Sequence, residues 1–352
     1  MRVMNIVPEI DSVTEPVELE EFASFPVIAQ LLEGKTGQIA IALSGGPDSM
    51  ALCWLLSQLG LRHNRIKIHA LTVDHALRAE SYEEAQKVGG WVKDWPNVSH
   101  HILRRDSSHI HHARIQEDAR HDRYALMHEY CAAHNIPALF VAHHANDQAE
   151  TVLFRLAKGS GVDGLSGMKS VYDYAEDLQI FRPLLGVEKQ RLVDTCAASD
   201  VQYVNDPSNK NDGFARIRLR KAYDVLAQEG LSVKRLITLA NRMKRAQDVV
   251  DYYAAKTYGE IAQQQDDGAV YVEYSGYVDL PEEIRLRVMI LAMKAVDDGR
   301  YAGRNGYGPR MGKLEDLCSC LVKDPDFKVR TLSGFAIQID FKNDIIIIEK
   351  EI

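Results

Sequence analysis

The 352-residue sequence predicts an α/β fold: a mostly parallel sheet flanked by helices, then a smaller helical C-terminal domain ending in a β-hairpin. Three observations carry this. Short runs that are apolar on both faces alternate with longer helix-forming stretches, as buried parallel strands and their crossover helices do. The texture changes near Leu231, beyond which apolar residues recur at helical spacing. The end of the chain alternates strictly and is split by a polar turn.

Each element follows in order. Residues 1–34 form an acidic lead-in (Glu9, Asp11, Glu15, Glu18, Glu20, Glu21) with a short amphipathic helix through Phe22, Phe25, Val27, Ile28, Leu31 and Leu32. Gln38 to Leu43 reads as a buried strand, stopped by Ser44-Gly45-Gly46, and Met50 to Leu59 as a helix. Strands at Lys67–Val73, His100–Leu103 and Pro137–Ala142 alternate with helices at Ser81–Val92 and Ile115–His134. Leu236, Leu239, Ala240, Met243, Ala246, Val250 and Tyr253 then mark a helical stripe, and Pro281-Glu282-Glu283 opens a further helix through Ala295. Phe335–Phe341 and Ile345–Ile348, separated by Lys342-Asn343-Asp344, read as the closing hairpin. The expected division is a lead-in at 1–34, a catalytic domain at 35–225 and a helical/β domain at 226–352.

Composition narrows the function classes. Forty-six per cent hydrophobic content suffices for one sizeable core and a smaller one. No apolar stretch approaches the ~20 residues that span a bilayer. The acidic start fits neither a secretory nor a mitochondrial leader. Five scattered cysteines, with only Cys318 and Cys320 closely spaced, fit a reduced cytoplasmic setting. The net charge of -8 argues at first against nucleic acid. Charge is unevenly placed, however: Phe181 to Val250 holds thirteen Lys/Arg against eight Asp/Glu. A basic middle behind an acidic arm can meet a polyanion through one face.

Ser44-Gly45-Gly46-Pro47-Asp48-Ser49 joins a buried strand to a helix. Adjacent glycines let backbone approach a ligand, and the first N–H groups of the helix make an anion site. Asp48 is the odd member, because a carboxylate beside phosphate requires a cation between them; Mg2+ fits. A plain Gly-Gly turn with an Asp helix cap is the competing reading. The loop is neither a Walker A nor a dinucleotide Gly-x-Gly-x-x-Gly.

The pattern Ser-Gly-Gly-x-Asp-Ser resembles the PP-loop ATP pyrophosphatase superfamily, an adenine nucleotide alpha hydrolase-like fold. Further segments, in order, resemble the tRNA(Ile)-lysidine synthases within it: Val73-Asp74-His75-Ala76-Leu77-Arg78, Glu117-x-Ala119-Arg120-x-x-Arg123-Tyr124, His143-His144-Ala145-Asn146-Asp147-Gln148-Ala149-Glu150-Thr151, Arg182-Pro183-Leu184-Leu185 and Arg216-x-Arg218-x-Arg220. The likeness covers residues 38 to 255. It departs at Ile217, Lys221 and Val225, where the family has Asn, His and usually Pro.

The resemblance implies an ATP-dependent ligase that adenylates the wobble cytidine of an isoleucine tRNA with a CAU anticodon. L-lysine then displaces AMP, forming lysidine and changing the codon read from AUG to AUA. It implies Ser44, Gly45, Gly46, Pro47, Asp48 and Ser49 as the ATP loop, and Arg120 on phosphate or adenine. Arg216 is expected in catalysis, and Arg216, Arg218, Arg220 and Lys221 on tRNA, where arginine forks match phosphate bidentately. His143, His144 and Asp147 are expected on one face of a helical turn. Asp147 would be a second Mg2+ contact beside Asp48, and either Asp147 or His143 the base. Zinc is disfavoured, since no His-Glu-x-x-His occurs. Oligomeric state is open, a homodimer included. One rival, a 2-thiocytidine enzyme of the same superfamily, carries Cys-x-x-Cys pairs that this chain lacks. The other, a non-catalytic nucleotide-binding tRNA protein, fits poorly with the presence of Asp48 and Asp147.

Overall fold

The computed structural model describes residues 15–33, 37–63, 66–74, 80–104, 115–204, 225–297 and 309–351. The chain divides into two compact units, 1–244 and 245–352.

The first unit is built on β1 (Gln38–Ala42), β2 (Lys67–Asp74), β3 (Val98–Arg104), β4 (Ala138–Phe140), β5 (Val171–Ala175) and β6 (Leu178–Phe181), in the order β3-β2-β1-β4-β6-β5. All neighbours run parallel except β5 and β6. Strand alternation sends Ile39, Ile41, Ala138 and Phe140 into one core, and Ala40, Leu139 and Ile180 into the other. The first core is covered by α3 (Pro47–His63) and α8 (Lys189–Ala198), the second by α5 (Ile115–Ala133). α3 is buried on most of its circumference, because α8 and the lead-in segment through Phe22 and Ile28 pack on it in addition to the sheet. Pro47 opens it, where the missing N–H costs nothing.

The acidic lead-in packs rather than dangles. Its expected single helix is two, α1 (Leu19–Ser24) and α2 (Pro26–Glu33), because Phe25, held extended ahead of a proline, breaks it. Phe22 and Ile28 are fully buried in the first core. Arg191 on α8 grips Glu21 with both terminal guanidinium nitrogens (2.8 and 2.6 Å), and Val17 N–H donates to Thr195 Oγ1 at 2.8 Å. Remaining in this unit are α4 (Glu80–Val92), α6 (Ala145–Ala157) and α7 (Val162–Leu165).

The second unit holds a five-stranded antiparallel sheet, β7 (Ala262–Gln264), β8 (Val270–Glu273), β9 (Arg330–Leu332), β10 (Phe335–Asp340) and β11 (Ile345–Lys350), in the order β7-β8-β11-β10-β9. The helix α9 (Val233–Ile261) enters it, and α10 (Tyr274–Val278), α11 (Glu282–Val296) and α12 (Met311–Lys323) complete it. The expected hairpin is present as β10 and β11, with Ile337 opposite Ile348 and Ile339 opposite Ile346. It forms the middle of a sheet rather than an appendage. Short, polar-ended strands such as Ala262–Gln264 carry no alternation long enough to read from sequence.

Candidate active site

A cleft of about 450 Å³ opens at the carboxyl ends of β1, β2 and β4, lined among others by Ser44, Asp48, Thr72, Arg123, Tyr124 and His143. β1 leads to β2 on one side of it while β4 lies on the other, so the cleft marks the point where strand order reverses. Open parallel sheets bind ligands at such points.

The loop after β1 closes on itself. Ser49 Oγ donates to Gly46 O (3.0 Å) and accepts the Ser44 N–H (3.2 Å). Since that hydroxyl proton is committed, Ser44 Oγ is the donor in the 3.1 Å contact between the two hydroxyls. Ser49 thus ties the loop from inside. The N–H groups of Asp48 and Ser49 in the first turn of α3 have no intrahelical acceptor. Gly45 has φ +83°, and a Cβ there would stand 2.5 Å from Val88 Cγ2. Only glycine fits both the backbone and the space. Gly45 O accepts the Val204 N–H at 2.8 Å, fastening the loop to the chain beyond α8.

Asp48 is held asymmetrically. Its Oδ2 lies 3.6 Å from His144 Nε2 and 4.0 Å from Lys189 Nζ. Its Oδ1 is buried without a hydrogen-bond partner among the described residues. Asp147 is the third residue of α6 and forms a capping box with His144. Its Oδ2 accepts the His144 N–H (3.1 Å), and its own N–H donates to His144 Nδ1 (3.4 Å). His143 lines the cleft but precedes α6, so the three expected partners do not share one helical face. His144, not His143, is the ring between the two carboxylates.

Other parts of the motif are structural. Gln148, fully buried, exchanges hydrogen bonds with both backbone groups of Met168 (3.0 and 2.7 Å). Gly159-Ser160-Gly161 caps α6: Ser160 N–H reaches back to Arg155 O at 3.0 Å. The Arg155 guanidinium then pins the Gly164 and Gly167 carbonyls. Arg182 is buried and lies over Tyr172, its carbon 4.5 Å from the ring centre.

Beneath the cleft, Thr72 donates to Leu43 O (2.7 Å), so His100 Nε2 carries the proton in their 2.8 Å contact. Burial pushes the His100 pKa down to about 4, helped by His101. Asp74, at the end of β2, accepts from Ser81 Oγ at 2.5 Å. Sequence reasoning placed Arg123 and His144 in motifs without assigning either a role of its own, and it did not single out Lys189. Arg123 sits one turn past Arg120 on α5, a spacing that offered a signal; Lys189 carried none. Arg120 lies in α5, and its side chain is outside the description. Arg216, Arg218, Arg220 and Lys221 lie outside the described residues. Among the described residues, no three His, Cys, Asp or Glu side chains are grouped to hold a metal.

Fold and loop together define a PP-loop ATP-using protein: residues 23–226 match the PP-loop domain family. A tRNA(Ile)-lysidine synthase of Wolbachia pipientis wMel is 32% identical over 312 residues, 89% of this chain and 70% of its own length. That of Methylobacterium nodulans is 36% identical over 303 residues, 86% of each chain. The chain belongs to the tRNA(Ile)-lysidine synthase family. A U34-tRNA thiolase structure from Methanococcus maripaludis shares the fold alone, with TM-score 0.53 and 13% identity over 65% of this chain and 78% of that one.

Proposed function

We propose that this enzyme ligates L-lysine to C2 of the wobble cytidine in CAU-anticodon isoleucine tRNA, using ATP. The observation that carries the reading is the closed Ser44–Ser49 loop at the start of α3, whose buried Asp48 Oδ1 lacks a partner among the described residues beside the cleft at the strand ends. An orphaned carboxylate oxygen beside an anion site fits Mg2+, which takes few protein ligands and fills its shell from phosphate and water. Asp48 would hold the ion, with Asp147 as the second contact, and the ion would neutralise charge on the phosphates.

The chain's own groups then bind and orient. The loop N–H groups and the α3 dipole hold the polyphosphate. Cytidine O2 attacks the α-phosphorus and pyrophosphate leaves, as PP-loop chemistry implies. The lysine ε-amine next attacks C2, AMP departs, and the amine's proton passes to a base. Free lysine amines have a pKa near ~10.4, so the site must supply that base or lower the value. Asp147 and His143, on either side of the α6 start, are the candidates. Arg120 and Arg216 are assigned to charge on the nucleotide and reaction centre. Arg216, Arg218, Arg220 and Lys221 are assigned to tRNA phosphates, and residues 226–352 to further tRNA contact.

The test offers lysine, ammonia or a sulfur donor in turn with ATP, Mg2+ and the tRNA. Mass spectrometry should show a lysine-dependent gain on the wobble cytidine, with one AMP released per product. Product with ammonia or sulfur but not lysine would leave the superfamily standing and refute the enzyme.

A further inference from the structure

His144 has two separable duties. Its ring is only 6% exposed and belongs to neither the phosphate loop nor the cleft lining. Nδ1 accepts the Asp147 N–H, so the neutral ring carries its proton on Nε2. Nε2 lies 3.6 Å from Asp48 Oδ2 and 3.5 Å from Asp147 Oδ2. One N–H therefore faces two carboxylates from different segments, the loop after β1 and the first turn of α6. A helix cap alone needs only Nδ1.

The Asp48 side chain turns about two bonds, and its oxygens have unequal surroundings. Oδ2 faces His144 and, at 4.0 Å, the half-exposed Lys189 ammonium. Oδ1 faces no donor among the described residues. Burying a carboxylate oxygen unpaired is costly, and the carboxylate would swing to relieve it unless its other oxygen were held. We propose that His144 is a positioning residue: its Nε2–H edge, 3.6 Å away, attracts Asp48 Oδ2 electrostatically and so keeps Oδ1 available for the cation that accompanies ATP. This rests on the assignment of Asp48 to Mg2+ made above. Groups of this kind, one shell out from a metal ligand, change metal affinity by about 10–100-fold when removed.

Two substitutions divide the ring. In His144→Asn the amide oxygen occupies the Nδ1 position and still caps α6, Asn being a preferred cap, but nothing reaches Asp48. In His144→Gln the amide N–H takes the Nε2 position, while the cap is lost. ATP binding by calorimetry on the full-length protein, with and without Mg2+, and thermal unfolding give the readouts. His144→Asn should unfold like the parent and bind ATP alike without metal. With Mg2+ its ATP affinity should fall about tenfold or more. His144→Gln should unfold earlier yet keep most of the Mg2+ response. Asp48→Asn is the control on the underlying assignment: if Mg2+ still tightens its ATP binding, Asp48 is not the metal contact. If Asp48→Asn loses the response and His144→Asn keeps it, the assignment survives and the positioning role is wrong. Loss of the Mg2+ response that follows lost stability in both His144 variants also overturns it, leaving His144 as a cap alone.

Discussion

Nine of the ten buried polar residues among those described belong to the unit of the six-stranded sheet, and only Gln247 to the unit of the five-stranded sheet. Five of the nine (Ser49, Thr72, Asp74, His144, Gln148) sit at or beside the carboxyl ends of β1, β2 and β4. The second unit instead buries Val270, Val272, Met289, Met293, Leu314, Ile337, Ile346 and Ile348 in one apolar cluster. Buried polar groups cost free energy unless paired, so a fold collects them where chemistry needs them. The unit of the parallel sheet collects that cost at one edge; the unit of the antiparallel sheet bears less of it, at Tyr277 Oη and Arg285 Nε, and gains stability chiefly from packing. Substitutions in the two units should therefore fail in different ways.

The largest effect is expected at Asp48. Asp48→Ala should leave the unfolding temperature near the parent's and lower ATP–pyrophosphate exchange on the order of 10²–10³-fold or more. Exchange within a few-fold of the parent would erase the distinction between the units. Ile348→Ala should do the reverse. It empties a fully buried site and should cost about 2–5 kcal/mol, read by denaturant unfolding of the second unit. ATP binding by the first unit should hardly change. A loss of nucleotide affinity equal to that of Asp48→Ala would show the apolar core acting on the site.

Gly45→Ala is expected to rank next, because it hits packing and chemistry together. The added Cβ meets Val88 at 2.5 Å with φ +83°, and strained backbone of this kind costs roughly 1–3 kcal/mol. Both ATP affinity and thermal stability should fall; a change in stability alone would mean the loop backbone does not touch ATP.

The smallest and most gradual effect is that of pH. Burial lowers the pKa of His69, His100 and His101, that of His100 from 6.5 to about 4. The unfolded chain then takes up protons first, so folding stability should decline as pH falls from about 6.5 toward about 4. Unfolding midpoints across that range should fall for the parent and flatten for His100→Gln. An unchanged slope in the variant would remove His100 from the account.

Much of this was legible in the chain. The runs Gln38–Ala42 and Lys67–Asp74 are apolar and short because both faces are covered, and that alone fixed them as parallel strands. Gly-Gly followed by Pro-Asp-Ser signalled a phosphate loop, since close backbone approach and free helix N–H groups have few other sequence forms. The hairpin at Phe335–Lys350 followed from period two and a polar turn, which Asp340 caps by accepting the N–H groups of Lys342 and Asn343. Local rules of this sort act within a few residues, so sequence carries them.

The roles of neighbouring residues required the tertiary structure. From the sequence, His143 is a candidate base and His144 has no role of its own, and His143, His144 and Asp147 look like one face of one turn. The helix begins between them, sending His143 to the cleft and turning His144 inward as the cap that meets Asp48. Asp48 and His144 lie 96 positions apart, Asp48 and Lys189 farther still. Their meeting depends on β1 and β4 lying side by side and on α8 packing against α3. Sequence determined which groups could do the chemistry, because residue type and local backbone set that. Which of them converge was decided by strand order, since hydrogen-bonded pairing across the sheet is indifferent to distance along the chain.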